Sequence, residues 1–136
     1  MIVIAAVDDN MGMLFNHRRQ SQDSCLRAYL LQHYTPLWMN AYSYGQFQKE
    51  TEANIQVHEQ CLALAQAGEY VFVENIPLAP YLQQIEGMIL CRWNRHYPAQ
   101  VYLDVQPTQC GWQVTETVEL VGSSHEKITI EVYARG

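Results

Sequence analysis

Basic side chains are scarce in this sequence, and half of them are grouped. Of the eight lysines and arginines, Arg18 and Arg19 stand in Asn16-His17-Arg18-Arg19, and Arg92 and Arg95 stand in Arg92-Trp93-Asn94-Arg95-His96-Tyr97. Arginines flanked by amides and imidazoles suit a carboxylate or phosphate, because the planar guanidinium matches either group with two parallel hydrogen bonds. The competing reading pairs these arginines with the fourteen acids on a solvated surface, where each ion pair contributes little. Trp93 and Tyr97 would wall a semi-enclosed site in the first reading and serve as ordinary packing in the second.

Other clusters invite chemistry less strongly. Ser123-Ser124-His125-Glu126 contains a hydroxyl beside an imidazole, yet neighbours in a turn point in different directions. No Gly-x-Ser-x-Gly elbow is present, so turn chemistry accounts for the serines. His58 and Cys61 sit at i and i+3 on one helical face, and two ligands do not make a zinc site. The five histidines, His17, His33, His58, His96 and His125, are scattered without an HxH, so no metal is expected. Asp23 opens a helical stretch, where the helix dipole favours an aspartate in any case.

The chain that must position these groups has 136 residues, 49% hydrophobic and 16% charged, enough for one core and one domain, 1–136. Its longest apolar runs fall far short of a membrane-spanning helix. A net charge of −6 opposes binding to nucleic acid. Cys25, Cys61, Cys91 and Cys110 form no CxxC pair and read as reduced thiols. The opening run meets Asp8 and Asp9 with no basic residue ahead of it, the wrong flank for a secretory signal. The chain is therefore expected to start at Met1 and to work in the cytoplasm.

Strand-like and helix-like stretches alternate along it. Ile2-Val3-Ile4-Ala5-Ala6-Val7 reads as a strand buried on both faces and ended by Asp8-Asp9-Asn10. Residues 11–21 read as a loop, residues 22–33 as a helix capped by Ser21, and Leu37-Trp38-Met39 as a strand after Pro36. Residues 43–50 read as a short helix or turn, 54–57 as a strand, 58–67 as a helix closed by Gly68, and 70–73 as a buried strand. A short helix over 77–85 and a strand over 88–91 follow. Strands alone remain after that, over 100–105, 112–121 and 127–133, the last two joined through Gly122-Ser123-Ser124. The order predicts an α/β fold: three layers, a mixed, mostly parallel sheet with helices on both faces, and a C-terminal antiparallel hairpin.

Taken in this order, the segments resemble the dihydrofolate reductase fold in shortened form. Ile2 to Asp8 resembles the first strand of those enzymes and the start of their mobile active-site loop. Asp23 falls where that family keeps its substrate-binding acid, and Leu37-Trp38-Met39 is similar to the next strand. Glu69-Tyr70-Val71-Phe72-Val73, the helix with Tyr81-Leu82, and Met88-Ile89-Leu90-Cys91 resemble the late βαβ unit, with Cys91 in place of a threonine. Thr129-Ile130-Glu131-Val132-Tyr133-Ala134-Arg135 looks like the closing strand.

The departures bear on chemistry. Asn40-Ala41-Tyr42-Ser43 replaces the Gly-Arg-x-Thr turn that holds cofactor phosphate, and Glu74-Asn75 replaces the Gly-Gly pair that leads into a helix. A carboxylate at that helix start would occupy the place of an anion, so Glu74 is expected to repel phosphate. The stretch between Tyr44 and Val57 is also too short for the strand and loops that shape the adenosine and folate-tail sites. The chain further resembles short bacterial proteins that carry the label ribonuclease Z, a label its scattered histidines do not support.

The resemblance brings Arg18, Arg19, Arg95 and His96 beside Ser123, Ser124 and His125, with Cys91 beneath them, around a small anionic ligand. It makes Asp23 the catalytic acid, its pKa raised by burial. The leading expectation is thus a reductase-like domain without a nicotinamide cofactor. An NADPH-dependent reductase with Asp23 as proton donor is the second, and an interaction module that binds a partner chain or a second copy, as a homodimer, is the third.

Overall fold

The computed structural model describes residues 1–49 and 54–135. The elements in chain order are β1 (Ile2–Val7), β2 (Gly12–Phe15), β3 (Arg18–Arg19), α1 (Ser24–His33), β4 (Leu37–Met39), α2 (Ala41–Phe47), β5 (Ile55–Val57) and α3 (Cys61–Leu64). They continue with β6 (Tyr70–Phe72), a 3₁₀ helix (Ala79–Gln84), β7 (Gly87–Arg92), β8 (Val101–Tyr102), β9 (Gln113–Leu120) and β10 (Ile128–Ala134).

Seven strands form the main sheet in the order β5-β4-β6-β1-β7-β10-β9. β1 lies at its centre, parallel to both β6 and β7. β4 is parallel to β5 and β6, whereas β10 runs antiparallel to β7 and β9. This is the expected mixed, mostly parallel sheet ending in an antiparallel hairpin.

The apolar runs of β1 and β7 are explained by two cores, one on each sheet face. Alternation sends Val3, Ala5, Val7, Met88 and Leu90 to one side, where Cys61 and Leu62 of α3, Leu78, Ile85 and Leu103 cover them. It sends Ile4, Ile89 and Cys91 to the other, against Leu26 and Leu30 of α1 and Phe47 of α2. Helices therefore cover both faces, making three layers. Leu30 is 1% exposed, and its truncation to alanine would cost about 2–5 kcal/mol.

Residues 11–21 are not a loop throughout. Met13 and Leu14 are buried, and β2 turns back into β3 through Asn16 and His17, with φ of 51° and 60°. Two left-handed residues match the twist of paired strands. The turn before β2 is held by Asp8, whose Oδ1 accepts from the amides of Asn10 (2.8 Å) and Gly12 (2.7 Å). β8, shorter than the strand expected over 100–105, pairs with β2 rather than with the main sheet, giving a second sheet in the order β3-β2-β8.

Two expected helices also differ. α3 is one turn long: only Cys61 and Leu62 reach the core, and Ala65 is already extended. So short a segment gains too little from packing to carry helix through to residue 67. α1 begins at Ser24, its cap being Asp23 rather than Ser21. α2 ends at Phe47, and Glu50, the end of the expected segment, lies outside the described residues.

Candidate functional site

The turn between β9 and β10 meets the start of α1, and Asp23 joins them. Its carboxylate caps α1, Oδ1 accepting from the amides of Cys25 (2.9 Å) and Leu26 (3.2 Å). From the turn, the Ser123 amide donates to Oδ1 at 3.0 Å and the Ser124 amide to Oδ2 at 2.8 Å. Both serine hydroxyls donate to the same carboxylate, at 3.2 and 3.0 Å. Gly122 makes this approach possible, since a Cβ there would stand 2.5 Å from Asp23 Oδ2.

These bonds reverse the pKa expected for Asp23. Burial pushes the carboxyl upward, but the amides of Ser123, Ser124 and Leu26, with His125, outweigh it and hold the group well below the usual carboxylate range. A carboxylate ringed by donors stays ionised. The upward shift that proton donation near neutral pH requires is not present.

His125 is the second hub, 5% exposed. Its Nδ1 lies 3.3 Å from Asp23 Oδ2 and 3.0 Å from Ser124 Oγ. Its Nε2 lies 3.2 Å from Ser21 Oγ and 3.1 Å from the Tyr97 hydroxyl. Trp93 stacks on the ring, centroids 4.5 Å apart and planes 23° apart. The segment of residues 92–97 thus reaches the turn through Tyr97 and Trp93, not through its charges. Arg95 offers its carbonyl to the Asp9 amide (2.9 Å), and His96 Nδ1 lies 2.9 Å from Asn10 Nδ2.

The two arginines of β3 have different fates. Arg19 binds Glu74, which comes from the end of β6, with Nε 3.0 Å from Oε2 and Nη2 3.3 Å from Oε1. Its Nη2 also donates to the Tyr42 carbonyl at 3.1 Å, and the guanidinium lies 4.8 Å from the Tyr42 ring centroid. Arg18 is exposed, and its side chain has no partner among the described residues. Cys91 is wholly buried against the α1 side of the sheet, and burial pushes its thiol up to about 12. It faces packed side chains and offers nothing to a ligand.

The space beneath α1, bounded by Ala6, Leu26, Leu30, Phe47, Phe72, Glu74 and Trp93, measures about 10 Å³, room for about one water. Two larger openings flank it. A cleft of about 450 Å³ is lined by Phe15, Asn16, Arg18, Arg19, Gln20, Tyr97 and Pro98. A groove of about 430 Å³ runs between α1, the end of α2 and the serine turn, past Arg27, Lys49 and Ser124.

The helix that follows β6 has its first amides occupied. Asp104 Oδ2 accepts from Leu78 N (3.0 Å) and Ala79 N (2.9 Å), and Oδ1 from Leu78 N (3.0 Å). The acid that fills this place is Asp104, not Glu74, whose charge is matched by Arg19. Sequence reasoning missed Asp104, and its position ahead of Pro107 reads only as a turn former. It also missed Ser21 as a partner of His125.

No family model and no curated protein sequence matches the chain. A dihydrofolate reductase from Enterococcus faecalis, complexed with NADP(H) and RAB-propyl, superposes with a TM-score of 0.67 at 10% identity, over 100% of this chain and 96% of that one. The fold is that of the dihydrofolate reductases. Asn40 caps α2 through Ser43 N (3.0 Å) and bonds Asn75 Oδ1 (2.8 Å). The two segments expected to depart from the reductase pattern, at residues 40–43 and 74–75, are thus hydrogen-bonded to each other. The ribonuclease Z label finds no support: among the described residues no three His, Cys, Asp or Glu side chains are placed to hold a metal. No helix among them is long and apolar enough to cross a membrane.

Proposed function

We propose that this dihydrofolate reductase-like domain binds a small organic anion in the cleft beside β3, and that it does so without a nicotinamide cofactor. The observation that carries the reading is the cleft's composition. In a chain of net charge −6, its lining holds two arginines, two amides and two aromatic rings, and no acid. The Arg18 side chain has no partner among the described residues, so a carboxylate or phosphate entering the cleft gains a charge-assisted fork without displacing a pair formed among them. Arg19, already tied to Glu74, fixes the wall. Gln20 Oε1 is buried with no hydrogen-bond partner among the described residues, which favours a ligand that also carries an N–H or O–H donor. The four cysteines are free thiols, in keeping with work in a reducing cytoplasm.

An NADPH-dependent reductase would need amides free for phosphate at the helix after β6 and an acid able to part with a proton. Asp104 covers the first and the hydrogen bonds of Asp23 oppose the second. The interaction-module reading rests on β9 as an open edge. There the register skips Thr115, between Val114↔Tyr133 and Glu116↔Val132, and Glu116 and Glu119 stand along the strand. A bulge and charges are how edge strands avoid pairing.

The test is thermal stabilisation of the full chain by 4-hydroxybenzoate and, separately, by inorganic phosphate at millimolar concentration. Arg18→Ala is expected to abolish the shift, and Arg95→Ala to leave it intact. NADPH titrated at micromolar concentration is expected to give no saturable fluorescence change. A full shift in the Arg18 variant, or saturable NADPH binding, would overturn the proposal.

A further inference from the structure

We propose that Ser21, His125 and Asp23 form a nucleophilic relay, and that Ser21 attacks small carboxylic esters. The three side chains come from separate places: Ser21 precedes α1, Asp23 caps it, and His125 lies in the turn between β9 and β10. The turn closes them into a line, Ser21 Oγ 3.2 Å from His125 Nε2 and His125 Nδ1 3.3 Å from Asp23 Oδ2. This is the order of nucleophile, base and orienting acid that acyl-transfer enzymes of unrelated folds share, at the looser distances of an unliganded site.

The imidazole's state follows from its neighbours. Asp23, ionised and ringed by donors, can only accept, so Nδ1 carries the ring hydrogen and Nε2 presents a lone pair. The stack on Trp93 stops the ring from turning out of line. Two hydroxyls compete for that lone pair, Ser21 Oγ and the Tyr97 hydroxyl at 3.1 Å. Ser21 is only partly buried and borders the small space beneath α1, with Gln20 at the cleft on one side of it in sequence and Gln22 at the groove on the other.

The step balances without any cofactor. Ser21 Oγ bonds to the ester carbonyl carbon and its proton passes to Nε2. The C–O bond to the alcohol then breaks and that proton leaves with the alkoxide. Water, deprotonated by the same nitrogen, hydrolyses the acyl-serine and restores the hydroxyl. The cleft's anion chemistry is not needed for this step, so the two proposals stand or fall separately.

The experiment treats the full chain with an alkyl fluorophosphonate and locates the adduct by intact mass and peptide mapping. One adduct on Ser21 is expected in native protein and in Tyr97→Phe, and none in Ser21→Ala or in urea-unfolded protein. 4-Nitrophenyl acetate should leave a transient acetyl group on the same serine. No adduct on the native chain, an adduct on Ser24 or Ser123 at a comparable rate, or loss of labelling in Tyr97→Phe would overturn the proposal. Ser21→Ala must retain wild-type urea unfolding, and Tyr97→Phe keeps the test independent of that variant.

Discussion

Arg19 closes on Glu74 side-on, Nε against Oε2 and Nη2 against Oε1, joining the β2–β3 hairpin to the end of β6 across the mouth of the space beneath α1. The Glu74 side chain is 9% exposed and that of Arg19 22%, so the pair is partly sheltered and neither member is free for a ligand. Arg19→Ala leaves a buried carboxylate alone and is expected to cost about 3 kcal/mol, while Arg19→Met with Glu74→Met costs far less. Urea denaturation of both variants measures the difference.

Asp23 is expected to control the acid limb of stability. Its folded pKa lies below the ordinary value, so its contribution is fully present above about pH 4, the usual unfolded value, and is lost as pH falls toward the folded one. Asp23→Asn should be less stable by about 2 kcal/mol at neutral pH, since it loses charge-assisted bonds. The gap between the two proteins should narrow steadily below pH 4. Calorimetry in a series of acidic buffers checks this, and a constant gap would show that the charge is not what the turn reads.

Two glycines should respond oppositely to alanine. At Gly122 the new Cβ meets Asp23 Oδ2 at 2.5 Å and the His125 carbonyl at 2.8 Å, both parts of the turn that hold it closed. A loss of more than about 2 kcal/mol is expected, from strain together with broken hydrogen bonds. At Gly45, inside α2, nothing lies within 4 Å, and alanine should stabilise by about 0.5–1 kcal/mol. The two melting temperatures should move in opposite directions.

Asp104→Ala should destabilise by about 1 kcal/mol by uncovering the amides of Leu78 and Ala79. Asp104→Asn, with one acceptor oxygen, should lose about half as much. Chemical denaturation orders the three proteins.

Thiol titration with a chromogenic disulfide should separate the cysteines. Cys110 is exposed, whereas Cys61 and Cys91 are buried and burial pushes both thiols upward. Thiolate is the attacking species, so Cys110 is expected to react first and the buried pair only on unfolding. Fast reaction of Cys91 in native protein would contradict its packing.

The layered sheet was legible in the residues themselves. Continuous apolar runs at 2–7 and 88–91 identify strands buried on both faces, and strands without intervening helices after residue 100 identify the hairpin, because these signals are local. The hairpin within residues 11–21 escaped because its turn rests on left-handed Asn16 and His17, a conformation their types permit without requiring. The candidate site divides in the same way. Arginine, serine and histidine clusters are visible along the chain, but side-chain partnership is not. Arg19 meets Glu74, Asp104 meets the 3₁₀ helix, and Ser21 meets His125 across long stretches of sequence. Whether Asp23 holds or gives up a proton depends on the amides of residues 123 and 124, which only the folded turn brings to it. Composition and periodicity determined which surfaces must be buried; the tertiary structure decided which charges are spent on one another and which, like Arg18 among the described residues, stay open, because hydrogen-bond geometry between distant segments exists only after the sheet has aligned them.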